Sequence, residues 1–382
     1  MNTPAPTRLT SLDGLRGVAA VVVLVHHALL LVPALAAPYY GRPTSAGWPQ
    51  WAINTPVHLL WAGTEAVFLF FVLSGLVLGL STRSRSFTWE SYFPARLVRL
   101  YLPVIAAVLL AWITIVAFPR NPVDGASAWL EHRPAGYTPR TALLDMILVG
   151  GVSATVSPLW SLQWEVLFSL LLPVYVVLGR RIDPWVLGVG SVALSVAGAT
   201  FGVKSLMYLP MFGIGIALAE AWNRIGGVVT RRSTAKWNVA WAAMVVLAAL
   251  AVVGYWFLVL VVPENIARTV SVPIALAGIS IIVIAAGWWS PLRGLLSTRL
   301  LQWFGLVSFS LYLVHEPIVI AVAHATGSAA WGIVIAVPTA FLVAWLFHLA
   351  VERPAHRLAR RIKSDTRRDP VDLEAERVVT AR

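Results

Sequence analysis

Ten stretches of this chain, each about 18 residues or longer and nearly uncharged, limit what it can fold into. Runs of that kind read as membrane-spanning helices, because in hydrocarbon each backbone N–H and C=O must find its partner within the segment. They lie near 15–37, 57–80, 98–118, 158–179, 185–203, 205–222, 238–262, 269–289, 302–325 and 330–350. Only 12% of the 382 residues are charged, about half the fraction of a soluble domain. The fold class that follows is all-α: a polytopic integral membrane protein of about ten transmembrane helices. No cysteine is present, which excludes disulfides, thiolate metal sites and a Cys nucleophile.

A net charge of +12 suggests nucleic acid until its placement is examined. The basic residues sit in short loops between apolar runs. With the N-terminus in the cytosol, only Arg42, Arg120, Arg133, Arg140, Lys204 and Arg268 of the 29 Lys and Arg fall on the outer side. That imbalance is the positive-inside pattern of a multi-pass protein of the plasma (inner) membrane with both termini cytosolic, and its partner is the lipid bilayer, with no nucleic acid. Spans five and six are the least distinct, since only Gly202, Val203 and Lys204 separate them. The outer segment 119–157, rich in Pro and Gly and holding Trp129 and Tyr137, reads as a loop over the mouth of the bundle. Residues 1–352 form the transmembrane unit, and 353–382 a charged cytosolic tail, solvated and partly disordered. One rival concerns the first span: Ala34-Leu35-Ala36 is the A-x-A pattern of a cleaved signal peptide, although the preceding run is long enough to span.

Ionisable groups inside spans each cost about 2.5–3.5 kcal/mol and are functional candidates by default. Here they are Arg16, His26, His27, Glu65, Glu165, His315, Glu316 and His348. At about 1.5 Å per residue His27 lies roughly 16 Å beyond Arg16, and eleven steps of 100° return it to within about 20° of the same face. His26 points elsewhere and is expected to pack or hydrogen-bond. By the same rise, Glu65, Glu165, His27 and His315 are expected in one layer on the outer side of the midplane. A second layer at the cytosolic face comprises Arg16, Ser74, Gly75, Arg96 and Arg99, the last two sharing a helix face. Bland readings stand beside these: a lone His or Glu satisfied by another helix, Ser74-Gly75 as a close helix crossing, and the arginines as ordinary positive-inside residues. His58, His132 and His324 are placed where water makes them cheap, and His348 is expected to pair with Glu352.

A neutral His near a carboxylate is suited to take a proton from a hydroxyl. Arginines grip phosphate by bidentate contacts. Phosphate at one depth and a base some way deeper suit a long donor such as an acyl-coenzyme A.

Several motifs carry a resemblance that agrees with this chemistry. Ser11-Leu-Asp-Gly-Leu-Arg16-Gly17 with His27 resembles the opening of the acyltransferase 3 family. So do Gly63-Thr-Glu65 leading into Phe70-Phe-Val-Leu-Ser74-Gly75, and Arg96-x-x-Arg99-Leu-Tyr101-x-Pro103. Pro158-Leu-Trp160-Ser161-Leu-x-x-Glu165, Gly305-x-x-Ser308-x-Ser310-Leu-Tyr312-Leu-Val-His315-x-Pro317 and Glu352-Arg353-Pro354 are similar too. The resemblance implies a membrane O-acyltransferase. It would move an acyl group, most often acetyl, from cytosolic acyl-CoA (acetyl-CoA) to a hydroxyl of a carbohydrate, glycolipid or glycosylated natural product, with no metal. His27 becomes the catalytic base with Glu165 its helper; Arg16, Arg96, Arg99 and Ser74 become donor contacts. Glu65, Trp160, Ser161, Tyr312 and His315 become supporting residues. The alternative is a proton-coupled secondary transporter or flippase, in which buried His and Glu form a relay.

Overall fold

The computed structural model describes residues 9–365 except 122, 124, 232 and 233. Arg8, Arg232 and the tail from 366 therefore lie outside the described residues. Among the described residues are ten long apolar helices: α1 (Thr10–Leu29), α2 (Gly63–Ser81), α3 (Trp89–Ala117), α4 (Leu159–Arg181), α5 (Pro184–Phe201), α6 (Lys204–Thr230), α7 (Ala235–Val252), α8 (Glu264–Trp288), α9 (Arg299–Thr326) and α10 (Ala329–Phe347). A π-turn over His348–Glu352 joins α10 to α11 (Arg353–Asp365). No strand occurs among the described residues.

Burial sorts the helices. In α9, 83% of the most apolar window is buried, against 22% in α5 and 17% in α7. The outer helices present Val189, Phe201, Val239 and Leu247 to the surroundings. So much exposed apolar area would be a liability in water and is ordinary against lipid.

Glycines set how closely the central helices approach. A Cβ on Gly17 would stand 2.4 Å from the backbone N of Gly305, and one on Gly305 would stand 2.4 Å from the carbonyl O of Asp13. Only glycine allows α1 and α9 to touch backbone to backbone there. Likewise Gly75 meets the carbonyl of Phe212 and Gly215 meets that of Val72. Ser74-Gly75 thus marks a close crossing, of α2 on α6. Gly202, at φ 69°, ends α5 in the left-handed region, which lets three residues separate spans five and six.

Three boundaries differ from the sequence reading, each with a local cause. α1 stops at Leu29, and Pro33–Ala36 and Ala37–Tyr40 form short separate turns. Residues Pro56–Trp61 are a proline-led 3₁₀ turn, so α2 begins only at Gly63. Glu65 therefore sits in the first turn of its helix, not deep in a span. α3 begins at Trp89, a good two turns earlier than hydropathy suggests, so Arg96 and Arg99 lie within a regular helix. The segment expected to be a solvated tail opens as α11, which packs along α3 with Ala355 and Ala359 buried.

Candidate active site

α1 and α9 carry the centre of the site. Ten residues beyond the Gly17–Gly305 crossing each helix places a histidine, His27 and His315, and both pairs are 288 positions apart. Equal spacing on two helices running the same way keeps the pair level, and their rings meet. His27 Nδ1 lies 3.0 Å from His315 Nε2 and 3.1 Å from the carbonyl of Val23. His315 Nδ1 lies 2.9 Å from the carbonyl of Leu311. One assignment of protons satisfies all three contacts with neutral rings. His315 donates from Nδ1 to Leu311 and accepts at Nε2 from the Nδ1–H of His27. The Nε2 of His27 is then a bare lone pair. His315 is fully buried, whereas His27 keeps partial exposure.

His26 is turned away, as its facing requires. Its Nδ1 meets the carbonyl of Trp61 at 2.9 Å, and its ring fills the space left by the missing side chain of Gly63.

Glu165 does not meet His27. Its Oε1 accepts from Arg96 at 2.6 Å and from Ser74 at 3.3 Å. Arg96 also donates from Nε to Ser169 at 3.2 Å, and Ser169 donates to the backbone O of Glu165. The single layer of four ionisable residues expected from the sequence therefore divides. His27 and His315 form one unit, and Glu165 belongs with Arg96 and Ser74. Both partners of the ion pair stay partly open, at 14% and 20% side-chain exposure. Arg16 pairs with Asp13 at 3.3 Å. Arg99 is exposed and faces Arg16, Arg96, Glu165 and Glu352. Glu65 is set apart from all of these, beside Tyr39 and Trp256.

The remaining sequence candidates tie the helices together. Tyr312 shares a 2.6 Å contact with Ser161 and donates to the carbonyl of Pro158, joining α9 to the start of α4. Trp160 packs against Phe71 and Tyr208. His348 meets Glu352 at 3.0 Å as expected. His58, placed by sequence where water reaches, is instead fully buried between Trp61 and Trp256 and receives the Tyr39 hydroxyl at 3.1 Å. Among the described residues no three His, Asp or Glu side chains converge as a metal site.

Two residues of the 119–157 segment take places the sequence did not signal. The short helix Ala128–Glu131 turns Trp129 inward, where its ring lies 5.7 Å from that of His27. Arg133 follows it into the bundle and pairs with fully buried Glu316 at 3.1 Å. Glu316 also accepts from Ser157 N and Oγ, both at 2.5 Å. The segment is thus fastened at both ends over the histidine pair.

A buried His315 meets a partly exposed His27 on close-packed helices, with the Arg96–Glu165 pair on neighbouring helices and Trp129 of the 119–157 segment against the His27 ring. Comparison with known proteins names the chemistry class. A family profile described as "Acyltransferase domain" matches residues 9–349. This chain belongs to the acyltransferase 3 family. It is an acyltransferase, and that decides against the transport alternative. Acyltransferase MdmB of Streptomyces mycarofaciens is 27% identical over 99% of this chain and the whole of that protein. O-acetyltransferase PaAT-1 of Phomopsis amygdali is 24% identical, over 83% of this chain and 73% of that one. Protein 2 in picA locus of Rhizobium radiobacter is 29% identical over 53% of this chain and all of its own length. No solved structure matches.

Proposed function

We propose that this acyltransferase moves an acyl group, acetyl by preference, from acyl-CoA to a hydroxyl of a carbohydrate, glycolipid or glycosylated natural product. The name of the fungal relative, an O-acetyltransferase, supports the acyl group and the oxygen acceptor. The observation that carries the reading is the histidine pair, which leaves His27 Nε2 free beneath a roof.

In the reaction His27 Nε2 takes the acceptor's hydroxyl proton as the oxygen attacks the thioester carbonyl carbon. The new C–O bond forms, the C–S bond breaks, and the proton passes from His27 to the departing thiolate sulfur. His315 supports the imidazolium by accepting its Nδ1–H, in the place a carboxylate takes in a hydrolase triad. The arginines recognise the donor's phosphates. Arg16 lies eleven residues before His27, roughly 16 Å along α1, which suits a phosphate at one end of a slender arm and a thioester at the other. Glu165 then acts through Arg96, holding its guanidinium with one oxygen. The basic end of the bundle faces the cytosol by the positive-inside rule, in the plasma membrane, and the roofing segment faces outward.

Mass spectrometry of glycans, lipids and secreted glycosides from cells with and without the protein tests the reading. An acetyl mass increment on a hydroxyl that disappears with the protein is expected. Identical profiles under conditions of full expression would contradict it.

A further inference from the structure

The arginines of the proposed donor site keep partial exposure, and α11 packs along α3, the helix that carries two of them. Ala355 and Ala359 are 2% exposed each and seat α11 on α3. His356 and Arg360 each follow one of these alanines. They are four apart and so share a face flanking the seam. Arg99 of α3 is in electrostatic reach of His356, which in turn is in reach of Arg360. Neither Arg99 nor Arg360 is engaged in a hydrogen bond or ion pair among the described residues.

Glu352 sits beneath this group, 4% exposed, at the end of the π-turn. Its two oxygens are used differently. Oε2 accepts from Ser310 at 2.6 Å and His348 at 3.0 Å, both inside the bundle. Oε1 faces outward, 3.8 Å from His356 Nε2. A π-turn supplies one residue more than an α-helix would, which re-aims the side chains after it. Here it brings Glu352 under the bundle and His356 and Arg360 toward Arg99.

Arg99, Arg360 and the N–H of His356 form a cationic rim with one buried carboxylate beneath them, which matches a small dianion. The donor proposed above carries two separated phosphate groups, a pyrophosphate and a ribose 3′-phosphate. Arg16 and Arg96 suit the first; the rim that α11 completes suits the second. We propose, resting on the acyl-CoA reading, that α11 completes the donor site, with Arg360 and His356 receiving the 3′-phosphate and Glu352 as the positioning residue beneath them.

The test compares acetyl-CoA with acetyl-dephospho-CoA, which lacks that phosphate, on full-length protein in nanodiscs. The His356→Gln, Arg360→Gln double variant should raise KM for acetyl-CoA at least tenfold, as loss of charge-assisted contacts to the phosphate implies. Its kcat should hold, and its KM for acetyl-dephospho-CoA should equal that of the wild type. Glu352→Gln keeps the volume and should raise KM for acetyl-CoA with kcat and melting temperature nearly unchanged. An equal effect on both thioesters, or on neither, overturns the proposal. So does an effect that vanishes when anionic lipid is omitted, since α11 would then be reading headgroups. Wild-type protein that turns over neither thioester overturns the acyl-CoA reading itself, and is distinguishable from the other outcomes by that fact.

Discussion

Replacing His315 by Phe keeps a flat ring of similar size at the centre of α9 and removes one acceptor of the His27 Nδ1–H, along with the local bond to the Leu311 carbonyl of its own helix. In the wild type the Nδ1–H of His27 is shared between His315 Nε2 at 3.0 Å and the Val23 carbonyl at 3.1 Å. The variant loses one of these two acceptors and keeps the other, so His27 still favours the tautomer with Nε2 bare. At His27 the loss is that of a single buried hydrogen bond, about 0.5–1.5 kcal/mol in the ground state. As His27 becomes imidazolium the same contact turns charge-assisted, about 1.5–3 kcal/mol. The greater loss falls in the transition state, so kcat should drop roughly ten- to hundred-fold at about 1.4 kcal/mol per decade. Donor KM should barely move, because no phosphate contact is touched. Steady-state CoA release from acetyl-CoA by nanodisc-reconstituted variants measures both constants. His315→Gln, whose amide oxygen offers an acceptor again, should recover part of the rate. A His315→Phe variant as active as the wild type would refute the orienting role. One as inactive as His27→Ala would mean that His315 itself handles the proton.

Three further outcomes follow from the same contacts. Glu165→Gln weakens its hold on Arg96 and should raise donor KM, and the Glu165→Gln, Arg96→Gln double variant should be no worse than Arg96→Gln alone; additive effects in the double-mutant cycle would separate the two residues. Arg133→Met leaves Glu316 buried without its cation, a loss of about 3–5 kcal/mol, so the melting temperature should fall and proteolysis within 119–157 should accelerate; Glu316→Gln in the same chain should restore part of both. His58, on the turn before α2, is pushed down to about 3 by desolvation, with neighbouring His26 adding to the effect. Its neutral form is the folded one, so its contribution to stability is complete above the ordinary His value of about 6.5 and declines as pH falls from there toward 3. Thermal melts across that window should show the decline, and His58→Phe should flatten part of it.

The span count was legible because ten apolar runs separated by basic loops leave little choice of topology. That one regular helix carries both Arg16 and His27 was legible too. So was the levelling of His27 with His315, although its cause, a glycine crossing ten residues earlier, needs two helices at once. What failed was depth measured from guessed helix ends. Pro56 turns an apolar run into a 3₁₀ segment, which removed Glu65 from the expected layer. Glu165 went astray for a lateral reason: α3 extends back to Trp89 and brings Arg96 across to it. Nothing in a Pro- and Gly-rich loop signals that Trp129 and Arg133 fold inward, because irregular backbone has no period to read.

The central claim is that His27 is the base of an acyl-CoA-dependent transfer, and a paired measurement tests it most directly. Purified wild type, His27→Ala and His26→Ala, matched for folding by melting curve and gel filtration, are given labelled acetyl-CoA and an extract of host glycans and lipids. Label transfer to the extract and release of free CoA are followed together. The account predicts turnover by the wild type, none by His27→Ala, and substantial turnover by His26→Ala, whose ring packs against Trp61, Tyr39 and Gly63. Equal loss in the two variants, or retained transfer by a folded His27→Ala, would contradict it.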